Sequence, residues 1–145
     1  MNIYDGIGGL DIILFFVRIA AGTFFAISGY HKLFNKERRA ALRGTFEDDG
    51  IPLVSFCMWL VPLAEFVGGI FLVVGLSTVP TAIMLVLLLA VALVVDGVKR
   101  VTGFHPINFM DKLDDMLYLS ETVYIFIMAI LISAGPGMYA LDNLL

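Results

Sequence analysis

The chain has 145 residues, 60% of them hydrophobic and only 15% charged, with a mean hydropathy of +0.96. Nine Lys and Arg against thirteen Asp and Glu leave a net charge of −4, so no basic surface for nucleic acid is expected. Cys57 is the single cysteine, which excludes intramolecular disulfides, Fe–S clusters and paired-cysteine redox chemistry.

Long charge-free runs decide the class. Phe66–Val95 extends for thirty residues, and Thr122–Leu141 for twenty, without an Asp, Glu, Lys or Arg. A hydrocarbon layer about 30 Å thick takes roughly 20 apolar residues per helix, so these segments are written for lipid. The chain is read as a single membrane domain, 1–145, with an all-α fold: a four-transmembrane-helix bundle with short outer loops and charged cytoplasmic connections. The first hydrophobic segment covers about 10–34 and is interrupted by Arg18; it doubles as an uncleaved insertion signal, because no basic n-region or small-residue cleavage site precedes it. A charged stretch from Asn35 to Gly50 follows, predicted to hold a short interfacial helix over Lys36–Phe46 and a turn at Asp49-Gly50. The second span covers about 53–76 and is interrupted by Glu65. A turn through Ser77-Thr78-Val79-Pro80 leads to the third span, 79–95, since proline is tolerated in a first helical turn. A second polar connection, Asp96–Asp115, precedes the fourth span at about 116–134, which Gly135-Pro136-Gly137 ends. The two polar connections hold every Lys and Arg except Arg18 and Lys32. The positive-inside rule therefore puts both loops in the cytoplasm and both termini outside, in a bacterial-type inner membrane.

Arg18 is the costliest residue, at about 2.5–3.5 kcal/mol for a charge at mid-membrane on insertion scales. Counting down from the outer ends of the first two spans puts Arg18 at ~12 Å and Glu65 at ~16 Å, at 1.5 Å per residue. The two are therefore expected to meet as an intramembrane ion pair, acting either as a lock on helix register or as the lining of a ligand pocket. Small residues share their faces: Gly22 and Gly29 with Arg18, Gly68 and Gly69 with Glu65. Such residues let helices approach closely in lipid. A second polar group gathers toward the cytoplasmic ends: His31, Lys32, Asp96, His105 and Glu121. Its spacing fits no metal motif, so no metal site is expected, and helix-end anchoring accounts for most of it. Glu121 lies inside an apolar segment and needs a partner, for which Lys32 and His31 stand at similar depth. Cys57 reads as a small buried hydrophobe.

These residues, in this order, resemble the DoxX-like family of small four-helix membrane proteins. Arg18, Gly22 and Gly29-Tyr30-His31-Lys32-Leu33 are similar to its R-x3-G…G-x-x-K-L signature, and Phe46 with Gly50-Ile51-Pro52 to its F…G-x-P connection. Glu65, Gly68-Gly69 and Gly75-Leu76 are similar to E-x-x-G-G…G-L. His105-Pro106-Ile107-Asn108-Phe109 resembles a loop that usually reads H-x-x-N-G-F, without its glycine. Glu121 falls where the family opens its fourth helix with a glutamate. Gly135-Pro136-Gly137 with Leu141-Asp142 resembles the G-P-G-x-x-S-L-D ending, with Ala140 in place of serine.

The resemblance implies a four-helix bundle and leaves activity open. Some relatives look like membrane subunits of thiosulfate:quinone oxidoreductases, others like parts of oxidative-stress assemblies. The chain has no intrinsic cofactor motif, neither a facing haem-ligand pair nor a flavin fingerprint, and is not expected to be catalytic alone. The leading expectation is an accessory or assembly subunit of a membrane redox complex, with lipid and a membrane-protein partner around it. The first alternative is a quinone-binding subunit in which Arg18 or His31 bonds the quinone carbonyls and Glu65 or Glu121 relays a proton. A small transporter is the further alternative, and self-association stays open.

Overall fold

The computed structural model describes residues 8–103 and 108–143, and every regular element among them is helical. In chain order these are α1 (Gly8–Phe34), α2 (Lys36–Asp48), α3 (Val54–Val74), α4 (Thr78–Gly103), α5 (Phe109–Tyr118) and α6 (Ser120–Ala134), then a 3-10 turn at Leu141–Asn143. Three helices, α1, α3 and α4, are long and apolar enough to cross a membrane; there are four spans if the bent pair α5–α6 counts as one. The apolar helices make a lipid bilayer their environment.

Two boundaries differ from the sequence expectation. The third span does not stop at Val95. It runs to Gly103 through a single π turn, Leu93–Gly97, that carries Asp96 inside the helix. Arg100 one turn on meets that carboxylate at 2.8 Å, and Val101 beyond it is fully buried, so the polar residue does not end the helix. The fourth span does not begin at 116. Leu119 adopts an extended conformation (ψ 133°), and α5 meets α6 there at 67°. The break follows a change in composition. α5 mixes Asp111, Lys112, Asp114 and Asp115 with Phe109, Met110, Leu113 and Leu117, whereas α6 is apolar beyond Glu121. An amphipathic helix settles at an interface and an apolar one enters the hydrocarbon. The Leu119 side chain wedges against Gly97 of α4, where a Cβ would come within 3.1 Å of it.

The helix expected over 36–46 is present and runs to Asp48. Asn35 caps it by accepting from the Glu37 and Arg38 amides at 2.9 and 3.2 Å, the ordinary way to satisfy orphan helix donors.

α1 and α3 form the tightest pair, α4 packs on α3 and α6, and one core joins Leu14, Phe25, Leu72, Leu85, Leu89, Met128 and Leu131. Three of the four singled-out glycines make the α1–α3 seam. A Cβ on Gly22 would stand 2.7 Å from the Gly69 carbonyl oxygen, on Gly29 2.5 Å from the Phe66 nitrogen, and on Gly69 2.3 Å from the Ala26 nitrogen. These are backbone atoms, so side chains here would force the helices apart. Gly68 faces the other way. Its nearest neighbours are Met84, Leu85 and Thr81 of α4, so it fits α3 to α4 rather than to α1.

The glycine seam fixes an antiparallel register in which Gly75 lies opposite Arg18 and Ser28 opposite Glu65. α1 therefore overhangs the end of α3. The overhang is covered by the C-terminal segment, which turns back at Gly135 (φ 81°) and Gly137 (φ 74°). Asp11 accepts the Met138 amide at 2.8 Å, and Phe15 packs edge-on against Tyr139.

Candidate functional site

Arg18 and Glu65 do not meet. Both sit on the α1–α3 pair, but the register separates them by ten residues, ~15 Å at 1.5 Å per residue, beyond the reach of one side chain. The depth count erred because it took the outer ends of the two helices as level, whereas α1 overhangs. Arg18 is only 1% exposed. It donates from Nη1 to the Pro136 carbonyl at 2.6 Å and from Nη2 to the Tyr139 carbonyl at 2.8 Å. Its charge also faces Asp142. That carboxylate accepts the Ser77 and Thr78 amides at 2.5 and 2.7 Å, so a residue from the far end of the chain caps α4, where Ser77 itself supplies no side-chain cap. Burial pushes the Asp142 carboxyl up, but the amides and the Arg18 charge outweigh it and hold it below the usual carboxylate range. Arg18 is thus a strap that ties the C-terminal segment across α1 and α3, with its Nε buried and without a partner among the described residues.

Glu65 finds a different cation. Lys32 Nζ bonds both Glu65 carboxylate oxygens at 2.7 Å, and the Ser28 hydroxyl donates to the same carboxylate at 3.2 Å. Lys32 therefore does not serve Glu121, nor does His31. Glu121 instead accepts from Arg100 of α4 at 2.5 Å, and Arg100 bridges it to Asp96. His31 lies exposed on the outer face of α1. His105 lies outside the described residues.

The two ionic groups face one another across a cavity of about 460 Å³. Its lining includes Ser28, Lys32, Arg38, Glu65, Asp96, Arg100 and Glu121, with Phe25, Leu88 and Tyr124 as apolar wall. Of the expected polar cluster, Lys32, Asp96 and Glu121 converge here, and Glu65 joins them. A second lobe of about 330 Å³ shares Lys32, Glu65, Leu88, Ala92, Asp96 and Glu121 and continues under α2 among Leu42, Phe46, Ile51, Cys57 and Val91. Asp49 lines this apolar lobe. Its side chain is 4% exposed, Lys99 pairs with one carboxylate oxygen, and the other, Oδ2, is buried without a hydrogen-bond partner. An unmatched buried acceptor costs on the order of 1–3 kcal/mol or more.

Sequence reasoning missed Asp49, Lys99 and Arg100, which it placed in the polar connections, and Arg38, which it placed on the helix expected over 36–46 without a role. The i,i+4 spacing of Asp96 and Arg100 was the available signal that they belong to one helix. No three of the described His, Cys, Asp and Glu side chains are grouped to hold a metal ion. What the cavity offers is a polar lobe of paired charges, a second lobe with an apolar wall under α2, and a Lys32 ammonium with a third N–H beyond the two given to Glu65.

A family model described as DoxX matches residues 13–97, more than half of the chain, from the second turn of α1 through the π turn of α4. No curated protein and no solved structure matches the chain.

Proposed function

The chain belongs to the DoxX family, and from that premise we propose that it is a four-span membrane subunit that binds a quinone or quinol head group and works beside a redox partner. In this reading α5–α6 is the fourth span, both polar connections face the cytoplasm, and the cavity lies in the inner leaflet. The observation that carries it is the lobe under α2, where Leu42, Phe46, Ile51 and Val91 form an apolar wall beside Asp49 and the Lys32–Glu65 pair. A quinol hydroxyl is a donor on an apolar ring and suits that wall. The free N–H of Lys32 is placed for a ring oxygen on the other side of the lobe, with Glu65 holding the ammonium in orientation. A bound quinone would supply two-electron redox chemistry coupled to protons. The chain's own part is to bind the ring and exclude water from its apolar side. Electrons must come from a partner, since the sequence has one cysteine and no flavin or haem motif.

A second reading, a non-catalytic accessory subunit, is favoured by the internal pairing of Lys32 with Glu65 and of Arg100 with Asp96 and Glu121. Charges matched this fully act as a lock without a ligand. One experiment separates the two: mass spectrometry of proteins and lipophilic molecules that copurify from native membranes in mild detergent. Near-stoichiometric quinone, lost in Asp49→Leu, supports the quinone subunit. A stable partner complex in which this chain carries no quinone refutes it in favour of the accessory role.

A further inference from the structure

We propose that the outer face of α1 at its α2 end binds one anionic phospholipid, its phosphate held by His31 and Arg38 and an acyl chain lying along Ile27 and Phe24. Residues 24, 27, 28, 31 and 32 recur at helical spacing, so they form one stripe of α1. Along that stripe the chemistry changes from apolar (Phe24, Ile27) through a hydroxyl (Ser28) to basic (His31, Lys32), over ~12 Å at 1.5 Å per residue. Arg38 of α2 folds over the basic end, and together these residues line a groove of about 270 Å³. The order along the groove, oil first and cation last, is that of a phospholipid viewed from the bilayer interior toward its head group.

The charge balance of the groove points to an anion. Lys32 is neutralised by Glu65, but among the described residues the Arg38 guanidinium makes no ion pair or side-chain hydrogen bond, and the His31 ring lies against Tyr30. Of the neighbouring cations of α2, Arg39 stacks over Trp59 at 4.1 Å, Arg43 pairs with Glu47 at 3.4 Å, and Lys36 does not line the groove. Arg38 is thus an unmatched cation at the depth where helix α1 ends and interfacial α2 begins. That is the level of lipid phosphates, which guanidinium groups bind by paired N–H donors. A non-specific polybasic attraction would draw equally on every α2 cation, whereas this groove uses Arg38 and not Arg43.

The test is lipid retention by the purified full chain with no quinone present. Protein exchanged into mixed micelles of phosphatidylglycerol and phosphatidylcholine is analysed by native mass spectrometry. The expected result is one phosphatidylglycerol retained in preference to phosphatidylcholine, a loss of about tenfold in that preference for Arg38→Gln, a smaller loss for His31→Gln, and no change for Arg43→Gln. Arg38 and His31 are exposed, and helical circular dichroism of each variant verifies that the fold is kept. Equal retention of the two lipids, or equal losses in Arg38→Gln and Arg43→Gln, overturns the proposal. Inorganic phosphate that occupies the site as well as phosphatidylglycerol does, without any acyl chain, overturns the lipid assignment in favour of a free anion.

Discussion

Replacing Lys32 and Glu65 singly and together tests the register on which the site depends. The pair is bidentate at 2.7 Å, with side chains 12% exposed for Glu65 and 29% for Lys32. Breaking a buried pair from one side costs about 3–5 kcal/mol, because a charge is left uncompensated. Lys32→Met strands the more deeply buried Glu65, so its cost is expected at the lower end of that range, about 3 kcal/mol. Glu65→Leu strands Lys32 near the end of α1, where its long stem lets the ammonium snorkel toward water, so the cost drops to about 1–2 kcal/mol. The double variant removes both charges and is expected within about 1 kcal/mol of the parent. The coupling energy is then on the order of 3 kcal/mol, readable from reversible unfolding in mixed micelles. Additive single effects would refute the pairing. A parallel cycle on Arg18 and Glu65 is expected to be additive within about 0.5 kcal/mol, because sites so far apart share no partner; strong coupling there would refute the register.

Three further outcomes follow from the packing. Gly69→Val puts methyl groups where even a Cβ would stand 2.3 Å from the backbone of α1, so a loss of about 3 kcal/mol or more is expected, whereas Gly103→Ala, with open space around it, leaves the unfolding midpoint unchanged within error. Arg18→Met removes both charged hydrogen bonds to the C-terminal segment, on the order of 2–3 kcal/mol, and limited proteolysis should then cleave between Ala134 and Leu145 before any site in α1 or α3. The Asp142 carboxyl is depressed in the folded state. Its contribution is therefore whole above the ordinary carboxylate range, about pH 4, and is lost as pH falls through the folded value. Asp142→Asn is expected to flatten acid destabilisation in that window, and an unchanged pH profile would contradict the cap.

Much of the fold is legible in the sequence. The charge-free runs mark α3, α4 and α6, the charged stretch that begins at Asn35 marks α2, and Gly135-Pro136-Gly137 marks the end of α6. The errors fall where one polar residue was taken as a boundary. Asp96 was read as a helix end because its carboxylate had no visible partner; Arg100 supplies one from the next turn, and α4 continues. The bend at Leu119 was missed because residues 116–119 are apolar enough to extend a span, and only the contact with Gly97 shows that Leu119 is a wedge.

The site divides along the same line. That Arg18, Glu65 and Glu121 need partners follows from composition alone, because a charge among apolar neighbours must be matched wherever the chain folds. Which partner each receives depends on how far one helix slides along another, and each residue of slide moves a side chain by only 1.5 Å. No charge pattern encodes that slide here. It is set by Gly22, Gly29 and Gly69, whose missing side chains admit the opposing backbone at one register. That contact hands Glu65 to Lys32 and leaves Arg18 for the C-terminal strap. Hydropathy thus dictated a membrane chain with buried charges, and close packing between two glycine-lined helices chose their pairs.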